Sequence, residues 1–488
     1  MPTLSLKDPS LFVERAFVGG DWVTAASGAA LPVDDPATGA IIGSVPDCGE
    51  AEALQAIDAA QAAFGPWRQR PAAERAAVLE RWHGLILDNV ADLAAIMTLE
   101  QGKPLAEAEG EVRYGAGFVK WFAEEARRIE GRTLPAPTAD RRILVLKEPV
   151  GVSVAITPWN FPIAMITRKV APALAAGCTM VVKPSELTPF SALALAVLAE
   201  RAGVPKGVLG IVTGMPAAIG AAFTASTTVR KLSFTGSTRI GALLMRQSAD
   251  TLKRLSLELG GNAPFIVFDD ADLDMAIAGV IASKFRNAGQ TCVCANRILV
   301  QDGIHDAFVA RLAGAVEGMS VGNGAAPGVT IGPLINAAGV AKVQAHVEDA
   351  LSLGARSVAR AAAPADPSRF VAPVVLTGAS PAMRLSQEET FGPVAPIFRF
   401  RTEEEAIEIA NATPFGLASY FYTENLNRSF RVAERLEFGM VGLNTGSVSL
   451  ETAPFGGIKQ SGLGREGGPT GIEEYLELKS FHIGGLKM

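Results

Sequence analysis

Two residues of this chain have the chemistry and the local setting to make and break covalent bonds. The first is Cys292, in Asn287-Ala288-Gly289-Gln290-Thr291-Cys292-Val293-Cys294, where a helical pattern near 272–286 gives way to a strand pattern at 297. A cysteine just past a glycine-terminated helix sits where backbone can turn sharply and expose sulfur. At an ordinary pKa only a few per cent is thiolate near pH 7, but thiols are intrinsically strong nucleophiles. A buried structural cysteine is the alternative, and the usual fate of a lone one. A Cys–His hydrolase is another, yet His83, His305, His346 and His482 lie in no obvious motif. No metal site is expected, because one Cys-x-Cys has no matching second pair for zinc. The second residue is Glu258, in Leu257-Glu258-Leu259-Gly260-Gly261-Asn262. Desolvation in that apolar, glycine-rich setting raises a carboxyl pKa toward useful basicity. A surface glutamate is the alternative.

Two further segments suit a nucleotide. In Phe234-Thr235-Gly236-Ser237-Thr238-Arg239-Ile240-Gly241 a β run ends at glycine, a hydroxyl can cap, and a helical pattern starts. Free N–H groups at a helix start accommodate pyrophosphate. Lys183-Pro184-Ser185-Glu186 ends a buried-type strand, at the edge where open α/β sheets bind ligands. Lysine there can hydrogen-bond ribose hydroxyls. Glu186 would accept from an adenosine 2′-OH and repel a 2′-phosphate. By contrast, Gly462-x-Gly464-x-x-Gly467 matches a dinucleotide fingerprint only on paper. No strand pattern precedes it, and only 21 residues follow, fewer than the roughly 30 of a βαβ unit. It reads as a turn.

The elements that must hold these residues follow a change of rhythm at 151. Before it the chain reads mostly helical, with stretches near 50–64, 72–89 and 105–129, then an extended arm over 131–148. Such an arm is expected to add to a sheet elsewhere, on another subunit for instance. After it, strands Val152–Thr157, Thr179–Lys183, Val208–Thr213 and Lys231–Thr235 alternate with helical stretches near 163–176, 189–202, 216–224 and 238–250. That alternation predicts a parallel sheet covered on both faces. A second α/β set spans about 263–460, with strands near Phe265–Phe268, Arg297–Val300, Val394–Phe398 and Met440–Leu443. The run Ala361–Pro367 reads as a surface loop.

Whole-chain properties bound the answer. At 488 residues the chain is expected to form two to four lobes, taking roughly 150 residues per domain. With 49% hydrophobic and 19% charged residues, each lobe can bury a sizeable core. A net charge of −6 without a dense basic run argues against nucleic acid and anionic membranes. No apolar run reaches the roughly 18 residues of a membrane span, and Met1–Asp8 lacks a secretory signal pattern. Four cysteines, at 48, 178, 292 and 294, indicate no disulfide framework, so a reducing cytoplasm fits.

Together these segments resemble the aldehyde dehydrogenase superfamily over nearly the whole chain. The resemblance rests on Pro158-Trp159-Asn160-Phe161-Pro162, Lys183-Pro184-Ser185-Glu186, Phe234-Thr235-Gly236-Ser237-Thr238, Leu257-Glu258-Leu259-Gly260-Gly261, Gly289-Gln290-Thr291-Cys292, Glu389-Thr390-Phe391-Gly392-Pro393 and Pro454-Phe455-Gly456-Gly457, in the family's order. It implies an α/β fold with a Rossmann-like cofactor domain (1–130 and 149–258), a catalytic α/β domain (259–474) and a small β oligomerisation element (131–148 and 475–488) that makes a homodimer or homotetramer. It also implies roles. Cys292 attacks the aldehyde; Asn160 and the Cys292 N–H hold the oxyanion; Glu258 activates water against the thioester; Lys169 and Glu466 relay protons. Thr157, Pro158, Trp159, Lys183, Ser185, Glu186, Gly236, Ser237, Glu258, Leu259, Gly260, Glu389 and Phe391 would line the NAD(P) site. Keeping both glutamates argues against relatives that pass the acyl group to coenzyme A.

Within the superfamily the likeness runs toward succinate-semialdehyde dehydrogenase, through Phe285–Arg297 and Lys459–Gly467. It implies that Arg168, Arg286 and Ser449 hold a distal carboxylate, with Phe455 beside the substrate. Guanidinium forks bind carboxylates bidentately and stay charged, which favours an ω-carboxylated aldehyde. Helix-surface roles are the alternative for both arginines. Arg168 and Lys169 should point about 100° apart on their helix, one to substrate and one to the relay. Ser447 replaces an apolar residue of the family pattern, which keeps glutarate semialdehyde and other aldehydes as alternatives. Glu186 favours NAD, with NADP as the second cofactor. Some relatives pair the cysteines matching Cys292 and Cys294 in a reversible disulfide, so redox inhibition is also expected.

Overall fold

The computed structural model describes residues 5–362, 364, 366 and 368–487. Ala363, Ala365 and Pro367 of the expected loop, and Met1–Leu4 of the N-terminal reading, lie outside the described residues.

The first large sheet runs in space as Gly462–Leu463, Arg254–Glu258, Val229–Thr235, Val152–Ile156, Thr179–Lys183, Leu209–Ile211, Ala16–Val18 and Asp21–Val23. Its five central strands are parallel. Such strands are covered on both faces and so read as apolar runs. Successive side chains go to opposite cores: Val152, Val154 and Ile156 join one cluster, while Ala155 joins the other. Chain order reverses between Val152–Ile156 and Val229–Thr235, where the connections leave in opposite directions. A crevice therefore opens at the carboxyl ends of these two strands.

The second sheet orders Arg356–Arg360, Val374–Thr377, Val394–Phe400, Ala295–Gln301, Ala263–Val267, Ala418–Tyr422 and Met440–Leu443. Only the edge pair Arg356–Arg360 and Val374–Thr377 is antiparallel.

Three readings of the sequence need correction. Ahead of the helical stretches, residues 5–46 hold one 3-10 turn, Pro9–Leu11, and four strands, Ala16–Val18, Asp21–Val23, Ala30–Asp34 and Ile41–Pro46, which the mostly helical reading of the first 130 residues did not include. Runs of three to six residues broken by glycine and proline are too short to display a period. The arm finds its partner in its own chain: Arg142–Pro149 pairs with Arg132–Leu134 on one side and Leu476–Ile483 on the other. The glycine stretch at 462 is more than a turn, since Gly462–Leu463 adds an antiparallel edge beside Leu257 and Glu258. It is not a phosphate loop in a βαβ unit.

The helix Ala164–Ala176 is buried along its whole length. It packs between the helix Leu105–Glu125 and the first sheet. Its outset is fixed by Glu111, whose carboxylate accepts from the N–H groups of Ile163 and Ala164 at 3.0 and 3.2 Å. That satisfies two of the donors a helix N-terminus leaves open. This helix brings Arg168 and Lys169 into the interior.

Candidate active site

The crevice predicted by strand order is a real cavity of about 280 Å³. Its walls come from the turns after three parallel strands: Pro158–Asn160 after Val152–Ile156, Gly236 and Ser237 after Val229–Thr235, and Leu259 and Gly260 after Arg254–Glu258. Cys292 and Glu389–Phe391 close it from the second sheet's side. Residues far apart in the chain thus share one wall because each follows a strand end at the same edge.

The walls suit a dinucleotide. Ser237 caps the helix Thr238–Ser248, its Oγ accepting the Ile240 N–H at 3.4 Å, so a helix start with open donors faces the cleft. Trp159 and Phe391 meet edge to face at 5.6 Å. At Gly260 a Cβ would stand 3.2 Å from Glu389 Oε2, a tight approach that the glycine avoids. Glu389 accepts the Gly261 N–H at 3.3 Å, and burial pushes its carboxyl up to about 7. Lys183, Ser185 and Glu186 end their strand outside this lining, and Lys183 Nζ donates to Glu186 Oε2 at 2.7 Å. Thr157 lies beneath, donating its N–H to Lys183 O at 3.1 Å.

Cys292 follows a strained turn. The helix reaches only Val280, continues as a wider π turn over Ile281–Phe285, and then breaks. Asn287, Ala288 and Gly289 have φ of 51°, 54° and 75°. A left-handed alanine costs roughly 1–2 kcal/mol, and hydrogen bonds hold the turn in place. The Asn287 N–H donates to Glu107 Oε2 at 2.7 Å, and its Nδ2 donates to Asn160 O at 3.0 Å. Asn160 Nδ2 in turn donates to Gln290 O at 3.0 Å. An amide carries two N–H donors, so one remains for the cleft beside Cys292.

The thiol is not poised by itself. Burial pushes Cys292 up to about 12, with Arg168 opposing and Glu389 and Glu258 reinforcing the rise. With its proton held more tightly than in an ordinary thiol, Cys292 calls for a base. Glu258 has the character of one. It is 3% exposed, and neither carboxylate oxygen has a hydrogen-bond partner among the described residues. Burial, then the neighbouring Glu466, raises its pKa well above the carboxylate range against Arg168 and Lys169. Gly456 backs it closely, since a Cβ there would sit 2.9 Å from Glu258 Oε1.

Behind Glu258 lies a buried ionic cluster. Lys169 Nζ contacts Glu466 Oε1, and Arg168 Nε lies 2.5 Å from Glu466 Oε2. Burial alone would raise Glu466, but the two cations hold it below its ordinary value. The two neighbours, expected to point about 100° apart, meet on one carboxylate. Both side chains are long enough to converge on one carboxylate despite their 100° separation. Arg168 is 1% exposed, so a solvated helix face is excluded.

Arg168 also lines a second cavity. A small second chamber, about 20 Å³, is lined by Tyr114, Arg168, Arg286, Cys292, Ser449 and Phe455 among others. The Arg168 guanidinium lies 4.1 Å from the Phe455 ring centroid, and that of Arg286 5.3 Å from Phe161. Cys292, Phe161 and Met165 line both cavities, so the sulfur stands where cleft and chamber meet. Tyr114, Met165 and Lys342 were missed from sequence. They lie inside helices, where nothing in the local pattern distinguishes a lining residue from a core or surface one. Phe161 stood within a quoted motif but was given no role. The Cys292–Cys294 disulfide is not formed; all four cysteines are free. Cys294 is buried, with Sγ 3.4 Å from Gly289 O and 3.6 Å from Lys284 Nζ.

Comparison with known proteins shows the family. The aldehyde dehydrogenase family model matches residues 22–481. The chain is 58% identical to a 3-sulfolactaldehyde dehydrogenase of Pseudomonas putida, over 99% of each chain. It is 58% identical to a glutarate-semialdehyde dehydrogenase of Pseudomonas aeruginosa, over 99% of this chain and 100% of that one. A succinate-semialdehyde dehydrogenase [NADP(+)] of Escherichia coli is 57% identical over 99% and 100%. The crystal structure of a succinate-semialdehyde dehydrogenase from Burkholderia pseudomallei, 59% identical, superposes with a TM-score of 0.97 over 99% of this chain and 100% of that one.

Proposed function

The chain belongs to the aldehyde dehydrogenase family, and from that premise we propose that it oxidises an ω-carboxylated aldehyde, succinate semialdehyde foremost, through a thioester on Cys292. It is an NAD(P)-dependent oxidoreductase. One observation carries the substrate: on the side of Cys292 away from the cofactor cleft, Arg168, Arg286, Ser449 and Tyr114 line a single tight chamber. The Tyr114 hydroxyl is buried without a hydrogen-bond partner among the described residues. Two guanidinium groups and two hydroxyls suit an anion.

The residues suggest the sequence of events. The Cys292 thiol gives its proton to Glu258 as sulfur bonds to the carbonyl carbon. The resulting oxyanion takes hydrogen bonds from Asn160 Nδ2 and the Cys292 N–H. The nicotinamide of NAD(P), when bound, supplies the acceptor for the hydride leaving that carbon. Glu258, having first surrendered the thiol's proton, then draws a second one from water as the water's oxygen attacks the thioester and expels the sulfur as thiolate to release the acid. Glu466 and Lys169 lie behind Glu258 to carry that proton onward.

Arg286 tests the substrate, because Arg168 also clamps Glu466 and would confound two roles. Arg286→Leu should raise KM for succinate semialdehyde roughly 10- to 100-fold, the worth of a charged hydrogen bond of about 1.5–3 kcal/mol. The KM for butanal should move less than about threefold. Equal changes for the two aldehydes would sink the carboxylate assignment. A second reading is glutarate semialdehyde. Ser447, the polar departure from the family pattern, lines with Arg286 a separate hollow of about 600 Å³. Initial rates over semialdehydes of different lengths, with an ω-sulfonated aldehyde alongside, separate these readings.

NAD is the proposed preference. Glu186 already accepts from Lys183, so a 2′-phosphate in its place would face a carboxylate. Glu186→Ser should raise kcat/KM for NADP relative to NAD by on the order of tenfold, about 1.4 kcal/mol. An unchanged ratio would remove Glu186 as the discriminator. The assembly is proposed as a homodimer or homotetramer through the three-stranded sheet, whose Leu134, Leu146, Leu478 and Phe481 are exposed. No helix among the described residues is long and apolar enough to cross a membrane, and free thiols suit a reducing cytoplasm.

A further inference from the structure

A lysine and a glutamate lie buried beside the site without taking part in the reaction above. Lys103 is 2% exposed and Glu111 3%, and they form an ion pair. Burying two charges costs more than their attraction usually returns, so this pair invites a second explanation. The contacts supply one. Lys103 Nζ also donates to the backbone carbonyl of Asn160 at 2.8 Å and lies 4.1 Å from the Phe161 ring centroid. The other oxygen of Glu111 accepts from Ile163 and Ala164, just after the same segment.

A closed circuit of hydrogen bonds results. The Asn160 carbonyl accepts from Lys103 and from Asn287 Nδ2; Asn287 Nδ2 also reaches Gln290 O at 3.3 Å, and Gln290 O accepts from Asn160 Nδ2. Gln101 closes the outer side, accepting from the Lys103 N–H and donating to Asn287 Oδ1, both at 3.0 Å. Every member is buried. Fully satisfied networks of this kind rigidify what they hold.

We infer that Lys103, itself held by Glu111, is a positioning residue that fixes the Asn160 peptide and so aims the Asn160 amide at the oxyanion formed on Cys292. This rests on the reading of Asn160 as oxyanion donor. A displaced donor costs as surely as an absent one, since misplacement by about 1 Å can cost on the order of 100-fold.

The test is a double-substitution cycle with two readouts. One is NAD(P)H formation from succinate semialdehyde. The other is p-nitrophenolate release from p-nitrophenyl acetate without dinucleotide, which needs the thiol, Glu258 and the oxyanion donors but no hydride acceptor. Lys103→Met should slow both by roughly 10- to 100-fold. Asn160→Ala should slow both by about 100-fold or more. In the Asn160→Ala background, adding Lys103→Met should cost less than about twofold. The same loss in both backgrounds would overturn the inference, because Lys103 would then act by another route. If Asn160→Ala leaves both rates unchanged, the oxyanion reading itself fails. Should the methionine variant not accumulate folded, Glu111→Gln, which keeps its side-chain shape and an acceptor for Ile163 and Ala164, enters the same cycle with the same outcomes.

Discussion

Replacing Cys292 with serine lowers NAD(P)H formation by about 10⁴-fold or more, the scale on which acyl-transfer sites fail without their nucleophile, whereas dinucleotide binding persists. The reason lies in proton affinity. Burial already holds the thiol up to about 12, within reach of a base whose own pKa is raised. An alcohol in the same pocket starts several units higher and loses the polarisable sulfur that makes attack fast. No other thiol substitutes. Cys48 and Cys178 lie in separate cores, and Cys294 is turned toward Gly289 and Lys284. Initial rates with saturating aldehyde read the loss; fluorescence quenching on dinucleotide addition verifies an intact cleft. Undiminished turnover would refute the thioester.

Glu258→Gln is the second large effect: kcat falls roughly 10²- to 10⁴-fold, the usual worth of a positioned general base. Its pH signature is distinctive. Burial and Glu466 raise the Glu258 pKa well above the carboxylate range, so the native enzyme loses kcat as pH falls through that raised value. The glutamine variant has nothing to titrate there, and its profile flattens. Stability runs the other way. Between the ordinary carboxyl pKa and the raised one, the folded protein holds a proton that the unfolded chain has released. Stability therefore falls as pH rises through that window, and the loss is complete above the folded pKa. Glutamine never ionises, so its melting temperature should exceed that of the native protein by a margin that grows with pH across the window. A native acid limb at the ordinary carboxyl pKa, or a margin that shrinks with pH, would show that the base lies elsewhere.

The cluster behind Glu258 explains why Arg286 is the cleaner handle on substrate. Removing Arg168 would leave Glu466 with Lys169 alone and change the charge facing Glu258. It would alter the base along with the anion chamber. Sequence spacing suggested two independent side chains; the carboxylate of Glu466, some 300 positions further along the chain, unites them.

The amino-acid sequence by itself determined the groups able to react and the local turns that present them. Cys292 after a glycine, Glu258 in an apolar run and Ser237 at a strand-to-helix turn were legible because each rests on neighbours within a few residues. The alternation beyond 151 was legible for the same reason, since buried parallel strands and helices of ordinary length carry their own period. Only the tertiary structure decided what those groups become. The charge state of Cys292 and Glu258, the convergence of Arg168 and Lys169 on Glu466, the chamber completed by Tyr114, and the pairing of the arm with Leu476–Ile483 all depend on atoms brought from distant positions. Desolvation and Coulomb interaction act through space, over a few ångströms. A one-dimensional pattern records which side chains exist, while strand order and helix packing set the distances that give them their pKa values and partners.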